Sequence, residues 1–579
     1  MKRLYPILLL IGIFILTFAL FFHPITDFSQ DLGRHIKLGN IILATGKVPT
    51  TNLFSYTYPN FPFINHHWFS EVIFALLFNT TDVQGLLFVM SFVAAASMTI
   101  IVLQTIQKNY FAAIFSGVCF VSILYSRAYL RPEIFSFFFL SIFMSVLYIN
   151  RQRATKFLYL LPFLELLWVN MHIYFIIGPL VVGLFLFEEC VMYVHNKHDA
   201  DEKTIEKKRI FHLAAVFAAT CLVTICNPNG IAGALYPFYV FNNYGYAIQE
   251  NQSLFFLAQI GLWNPMGTLF IWVVVVLFLL FIILWKKTNF IDWLLFILFS
   301  IMAETAVRNF SLFVFAVFIP ASRLLGNIIQ PFEKVFKAKM YVAEIIIIVI
   351  SLFMLLSVAH ETNGFGFNVA SYPKDAADFF LKNHLQGPIF NDFDIGSYLD
   401  YRLYPKEHVF VDGRPEAYPA SFIQNIYILM QKDPAVFAKE DAIYHFQTIF
   451  FAHNDQTPWA KTFLNWILHQ QAAWKLVYVD GEDIILVRNN DVNKRIPEIT
   501  EKDFLAGKII YPSDVKGLMQ MAQIFDMAGW LNTEIIVLQK AFSINPHLCF
   551  IPETIANIFH TLRDPQELLY NNISSTCQK

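Results

Sequence analysis

Through the first 360 positions, apolar residues run in unbroken blocks rather than in one-sided stripes. Blocks such as Leu4–Phe22 and the segment 341–359 are apolar on nearly every face. That is the pattern of a helix surrounded by apolar solvent, not of one resting half-buried on a core. Crossing the hydrocarbon of a bilayer takes about 20 such residues. Blocks at 4–22, 83–106, 110–126, 132–149, 157–170, 173–194, 210–226, 268–285, 289–306, 309–325 and 341–359 predict a polytopic α-helical membrane protein with about 11 transmembrane helices. The first block reads as a retained span: it is too long for a signal-peptide core, and no small-residue cleavage site follows it.

Composition sharpens this picture. The chain has 579 residues, of which 56% are hydrophobic and 15% charged, against about 25% charged in a soluble protein. Its 63 Phe suit lipid-facing and tightly packed helices, and a net charge of −2 gives no reason to expect nucleic acid. The six cysteines show no metal-ligand spacing. Four sit in or at apolar blocks and read as packing residues, while Cys549 and Cys577 are available to pair in an oxidising compartment.

Loop charge sets the orientation. With the N-terminus inside, the inner loops carry roughly 17 Lys and Arg and the outer loops before the last span roughly 6. The bias follows the positive-inside rule. It predicts a multi-pass protein of the cytoplasmic (inner) membrane, N-terminus cytoplasmic and C-terminal region extracytoplasmic.

After residue 360 the pattern changes. Within 361–495, short apolar runs at Gly387–Phe390, His408–Val411, Thr448–Ala452, Trp474–Tyr478 and Ile484–Val487 alternate with helical stretches. They predict a small extracytoplasmic α/β domain. Residues 496–579 read as a helical tail, weakly tetratricopeptide-like around Ala522–Trp530 and Ala541–Pro546, with room for about one and a half repeats.

The polar residues of the membrane part (1–360) cluster at predicted outer ends. The outer loop 23–82 holds a short amphipathic helix, Asp31–Ala44, stopped by Gly46 and Pro49. Asp31 and His35 lie one turn apart on it. After an extended stretch, Val48–Tyr58, the run Asn65–Glu71 opens a second helix with His67 and Glu71 at i, i+4. Further along come Arg131–Pro132–Glu133, Asn170 and His172, Asn227–Gly230, Glu250 and Arg308. Each has a bland reading. Glu133 suits a helix cap, Arg131 a lipid phosphate, and Asn170 and His172 the backbone groups freed where two spans meet. Ionisable groups at membrane depth are rare and usually functional, and here several converge.

These motifs resemble a known group. Asp31–Leu–Gly–Arg–His35, Thr45–Gly46–Lys–Val–Pro49, Asn52–Leu–Phe–Ser–Tyr–Thr57 and His67–Trp68–x–x–Glu71 look like the first outer loop of multispan bacterial proteins similar to GT-C glycosyltransferases. Arg131–Pro–Glu133, Trp168–Val–Asn170–x–His172, Arg308–Asn309, Asn391–Asp–Phe–Asp–Ile–Gly396–Ser–Tyr398 and Val411–Asp–Gly–Arg414 continue the match over most of residues 1–420. The resemblance implies a GT-C-like fold and transfer of a sugar from a polyprenyl-phosphate-linked donor to an extracytoplasmic glycan, lipid or protein.

It also implies roles. Asp31 matches the acidic residue that serves as catalytic base or acceptor orienter. A carboxylate there would take the acceptor's proton as it attacks the anomeric carbon. Arg131, Arg308 and His35 would bind the donor phosphate. His67, Glu71, Glu133, Asn170, His172 and Glu250 would bind substrate, with Glu133 and Glu250 alternatively joining Asp31 around Mg²⁺ or Mn²⁺. Asp392–Phe–Asp394 admits a D-x-D metal reading or a capping role for a helix beginning near Ser397. The segment is also similar, without its tryptophans, to the acceptor motif of oligosaccharyltransferases, which implies acceptor contact by Asp394 and Tyr398.

Two other readings stand beside the transferase: a non-catalytic scaffold in envelope glycan assembly, and a membrane transporter. Against transport, no internal repeat or pair of interrupted spans is visible.

Overall fold

Each apolar block of the sequence falls on a helix, because a backbone in hydrocarbon must satisfy its own hydrogen bonds. The computed structural model describes residues 4–25, 31–152, 155–195, 200–240, 244–262, 265–335, 337–361, 364–366, 373–455 and 457–577. The first helices are α1 (Leu4–Phe21), α2 (Gly33–Thr45), α3 (Trp68–Ile106), α4 (Tyr110–Tyr125), α5 (Glu133–Gln152), α6 (Leu161–Trp168) and α7 (Ile177–His195). There follow α8 (Ala200–Val223), α9 (Gly230–Leu235), α10 (Leu254–Gln259), α11 (Pro265–Ile283), α12 (Phe290–Thr305), α13 (Phe310–Val335) and α14 (Lys337–Glu361).

Among the described residues, six helical segments are long and apolar enough to cross a membrane by length and composition: Trp68–Ile106, Glu133–Arg151, Ile173–His195, Pro265–Ile283, Val307–Pro331 and Val342–His360. Tyr5–Phe21 and Tyr110–Tyr125 are shorter apolar helices. The other three predicted blocks fall on α6, which has 8 residues, on α12, which has 16, and on α8, whose first half is charged. In α6, Pro162 stands in the first turn behind a 3₁₀ segment, so no regular helix extends back from it.

Helix α13 is the axis of the bundle. Residues 311–322 are buried throughout, and α13 packs on α4, α12, α3 and α5. Phe313 stacks on Phe120 at 5.7 Å and Phe315 on Phe137 at 5.5 Å. By contrast α14 leaves Ile345, Ile346, Ile348, Val349 and Phe353 exposed. A contiguous apolar face of that kind calls for lipid.

The loop after α1 folds back onto the bundle as α2. Its predicted start at Asp31 lies two residues early, since Asp31 and Leu32 form a wider turn ahead of Gly33. Gly46 ends the helix as expected, with φ 65° and its N–H on the Ile42 carbonyl. Gly39 is forced by packing, because a Cβ there would come within 2.0 Å of the Glu71 carbonyl oxygen. Helix α3 turns sharply at Asp82 (φ 59°), which divides Trp68–Thr81 from the membrane-length segment 83–106.

Beyond the bundle stand α15 (Lys374–Lys382), α16 (Phe393–Leu403) and a four-stranded sheet. Its strands are β1 (Ile389–Asn391), β2 (Thr448–Ala452), β3 (Trp474–Val479) and β4 (Asp483–Arg488), in the order β1-β2-β4-β3. Strand β1 pairs parallel with β2, and the other pairs are antiparallel. All four strands are buried along nearly their whole length, as their unbroken apolar runs require. The predicted strand His408–Val411 stays out of this sheet. Val409 makes an isolated bridge with Ser55 of the first loop instead, exchanging bonds with Phe54 and Tyr56. The tail forms helices Val515–Met527, Leu531–Ile544, Phe550–Leu562 and Glu567–Cys577, and Cys549 is disulfide-bonded to Cys577.

One buried cation joins the first loop to the α/β domain. Arg414 is 1% exposed and grips Asp412 with two bonds, of 2.9 and 2.6 Å. It also donates to Asn52 at 2.8 Å and lies between the rings of Phe54 and Phe63 at 5.0 and 4.8 Å. Removing one partner of such a pair leaves a buried charge unmatched, at a cost of about 3–5 kcal/mol. Arg414→Ala is therefore expected to lower the melting temperature in detergent and to open segment 48–64 to limited proteolysis. Arg414→Lys rescues little, because an ammonium reproduces neither the fork nor the stacking.

Candidate functional site at the domain-facing end of the bundle

Six segments bring polar side chains to the end of the bundle that faces the α/β domain. They are the start of α2, the start of α3, the α4–α5 turn, the α6–α7 junction, the loop around Glu250 and the turn before α13. The start of α16 closes over them from the other side.

Asp31 sits at the centre of a charge network. Its Oδ1 accepts from Arg34 at 2.9 Å, and its Oδ2 lies 3.3 Å from Arg131. Arg131 also donates to Glu250 at 2.7 Å and stacks over Tyr129. Arg127 donates to the same Glu250 oxygen at 2.9 Å and to Glu133 at 2.6 and 3.2 Å. The other Glu133 oxygen accepts from Ser311 at 2.7 Å. Burial opposes charge on Asp31, but Arg131 and Arg34 outweigh it and hold the carboxyl below its ordinary value. Glu250 is lowered in the same way, burial being overcome by Arg131 and Arg127.

A histidine cluster lies beside this network. His35 turns away from Asp31 and bonds Glu71 at 3.0 Å, while Asn65 donates to the other Glu71 oxygen at 2.6 Å. His67 packs among His66, His172 and His35 at ring distances of 4.0, 5.2 and 5.3 Å. Burial pushes His35, His66 and His67 below their ordinary values, His66 to about 3, so these rings are neutral at physiological pH. For His172 the tautomer follows from its partners. The Tyr174 N–H donates to Nδ1, and so does Ser136, whose own oxygen accepts from Trp168. The proton is therefore on Nε2.

The sequence-derived candidates separate by what they touch. Asp31, Arg131 and Glu250 are partly exposed and adjoin one another. Arg308 is half-buried on the same side, donating to Asn251 at 2.9 Å and lying over Tyr174. Glu71, Glu133 and Asn170 are buried, with their oxygens engaged. Asn170 accepts from Trp68 at 2.7 Å and donates to the carbonyls of Leu166 and Cys226, as its bland reading anticipates. Tyr398 is buried in the apolar core of the bundle.

Residues that the sequence reading passed over complete the network: Arg127, Arg34, Asn65 and Ser311. The available signal for Arg127 was its place four residues before Arg131, at the end of an apolar block.

Asp392 and Asp394 part ways. Asp392 caps α16, which starts at Phe393 rather than near Ser397, and accepts from Ile395 at 2.8 Å and Ala452 at 2.6 Å. The D-x-D metal reading thereby loses one of its two ligands. Asp394 is exposed, and its carboxylate has no hydrogen bond or ion pair with any described residue. Burial, then Asp455 and Asp31, push it up to about 7 against the pull of Arg131.

A divalent ion does not fit the carboxylates proposed for it. Asp31, Glu133 and Glu250 direct oxygens at guanidinium groups, and no three His, Cys, Asp or Glu among the described residues form a metal-binding group.

Comparison with solved structures bears on the fold. The chain superposes on the oligosaccharyltransferase AglB of Archaeoglobus fulgidus, solved with an inhibitory peptide and a dolichol-phosphate. The TM-score is 0.56 at 9% identity, over 94% of this chain and 86% of that one. The apo form of the A. fulgidus oligosaccharyltransferase gives 0.56 at 10% identity with the same coverage. ArnT of Cupriavidus metallidurans bound to undecaprenyl phosphate gives 0.49 at 11% identity, over 84% of this chain and 98% of that one. No protein-family model and no curated protein matches the sequence. The chain has the GT-C fold of a polytopic membrane protein, as the first-loop motifs led us to expect.

The network separates two kinds of arginine. Arg127→Ala removes both guanidinium bonds to the buried Glu133, leaving it Ser311 alone, and is expected to cost about 3 kcal/mol or more. Arg308→Ala removes the bond to Asn251 and the stacking on Tyr174 at a partly exposed position and is expected to cost less, about 1–2 kcal/mol. Thermal unfolding in one detergent, with the two variants side by side, measures the contrast.

Proposed function

We propose that this protein is a glycosyltransferase that moves a sugar from a polyprenyl-phosphate-linked donor to an extracytoplasmic acceptor, with Asp31 at the reacting centre. The observation that carries the reading is the placement of Asp31. It is a partly exposed carboxylate in the loop after the first apolar helix, with Arg34 and Arg131 on its two oxygens. The donor's leaving group is an anionic lipid phosphate, and Arg131 and Arg308 are the cations suited to receive it. His35 and His67, neutral and beside them, serve as hydrogen-bond partners rather than as charges. Asp31 acts as proton acceptor or as the group that orients the acceptor. Glu71, Glu133 and Asn170 position their neighbours, and Asp394 contacts the acceptor from the α/β domain.

The solved relative with the same fold carries dolichol-phosphate, a lipid of the proposed donor class. The Cys549–Cys577 disulfide favours an oxidising, extracytoplasmic compartment for the tail. Loop charge favours a cytoplasmic N-terminus in an inner membrane. A scaffold would need the fold but not the Asp31–Arg131 pair.

Asp31→Asn is expected to keep donor lipid bound while lowering turnover about 100-fold or more. Mass spectrometry of purified protein incubated with a total polyprenyl-phosphate-sugar extract reads both. Donor consumed by wild type and retained intact by the variant supports transfer. Equal consumption by the two removes Asp31 from the reaction, and no consumption by either moves the scaffold reading ahead.

A further inference from the structure

Four carboxylates at the domain-facing end of the bundle are already occupied. Asp31 carries Arg34 and Arg131, Glu71 carries His35 and Asn65, Glu133 carries Arg127 and Ser311, and Glu250 carries Arg127 and Arg131. An oxygen facing a guanidinium is a poor proton acceptor, because protonation would break the ion pair. Asp394 differs from these four. It is exposed, and its carboxylate makes no hydrogen bond or ion pair with any described residue.

Its position is built rather than incidental. Asp392 fixes the first turn of α16 by capping it and by tying it to β2 through Ala452. Gly396 lets α16 press onto the segment 409–411, where a Cβ would come within 2.3 Å of the Val411 carbonyl oxygen. That segment is held to the first loop by the Ser55–Val409 bridge. Helix α16 packs against α2, which brings Asp394 in its first turn close to Asp31.

Building on the transfer reading above, we propose that Asp394 is the general base of the reaction and that Asp31 orients the acceptor. In the step, the acceptor hydroxyl oxygen forms a bond to the anomeric carbon while the bond from that carbon to the phosphate oxygen breaks. The bonding pair leaves with the lipid phosphate. The hydroxyl proton passes to the Asp394 carboxylate and from there to water.

The groups facing Asp394 are Asp455 after β2, Asp31 on the α2 side, Arg131 on the α4–α5 turn, Tyr246, and Asp392 on its own turn. Burial, Asp455 and Asp31 outweigh Arg131 and bring the carboxyl to about 7. That is the range in which a base is ionised yet still takes a proton readily. Burial holds the neighbouring His35, His66 and His67 below their ordinary values.

The experiment is a pH series of donor turnover between pH 5 and 9 for wild type, Asp394→Asn, Asp394→Glu and Asp31→Asn. It uses full-length protein with the polyprenyl-phosphate-sugar extract, and melting temperatures are recorded on the same samples. Wild-type turnover is expected to rise about tenfold per pH unit and level off above about pH 7. Asp394→Asn should be 100-fold slower or more, with no such rise, and Asp394→Glu should recover part of the rate. Asp31→Asn should be slow but keep the rise.

A carboxyl whose pKa is raised on folding loses stability as pH climbs from its unfolded value to its folded one. Asp394→Asn should therefore melt higher than wild type at pH 8 and alike at pH 4. A variant within threefold of wild type, or one that keeps the wild-type profile, overturns the assignment while leaving transfer intact. Absence of turnover in wild type overturns the transfer reading and this role with it. Identical melting at pH 8 overturns the raised carboxyl on its own.

Discussion

The polar end of the bundle depends on one buried ion pair. Arg414 and Asp412 belong to the α/β domain, yet the aromatic rings that enclose the guanidinium, Phe54 and Phe63, belong to the first loop of the membrane bundle. A charge that deep is tolerated only while all its partners are present. The pair therefore fixes where the loop runs. Because the loop runs there, α2 lies on the start of α3 with Gly39 against the Glu71 backbone, and Asp31 comes to Arg131. The fold solves a general problem of loops at a membrane surface. A segment with few regular hydrogen bonds of its own is held by side chains from two bodies.

The same region shows how similar groups are given different chemistry by their surroundings. Two aspartates, Asp31 and Asp394, lie close enough for one to act on the other's charge. One is held ionised by two arginines, and the other is pushed towards neutrality by burial and by the charge of its neighbours. Four histidines that might have shared the charge are packed against one another, and His35 and His172 each have a ring nitrogen bound to a specific partner. The site thus has a charged floor of alternating carboxylates and guanidiniums, with a neutral aromatic wall beside it.

Much of this was legible in the sequence. Apolar blocks located the helices, since period and length suffice where every face meets hydrocarbon. Gly46 marked the end of α2, and four of the five predicted strand segments entered the sheet. The fifth, His408–Val411, has the right composition, but its backbone partner is Ser55, more than three hundred residues away, and no local pattern reveals that. Membrane-crossing length was least legible in the shorter helices. The block at 157–170 reads as a span, yet Pro162 and a 3₁₀ turn leave eight residues of α6.

What the sequence by itself determined is therefore the inventory: long apolar helices, short buried strands, helices near the C-terminal end, and polar residues gathered at helix ends. These are properties of single segments, set by solvent preference and local geometry. Tertiary structure alone decided the partnerships. Asp31 and His35 share a helix face, yet one meets Arg131 and the other Glu71. Arg127 is an ordinary loop arginine until Glu133 and Glu250 close on it. Asp392 and Asp394, two residues apart, become a cap and an open carboxylate. The charge state of each group depends on what is packed within a few ångströms of it, and that neighbourhood is assembled from segments far apart in the chain.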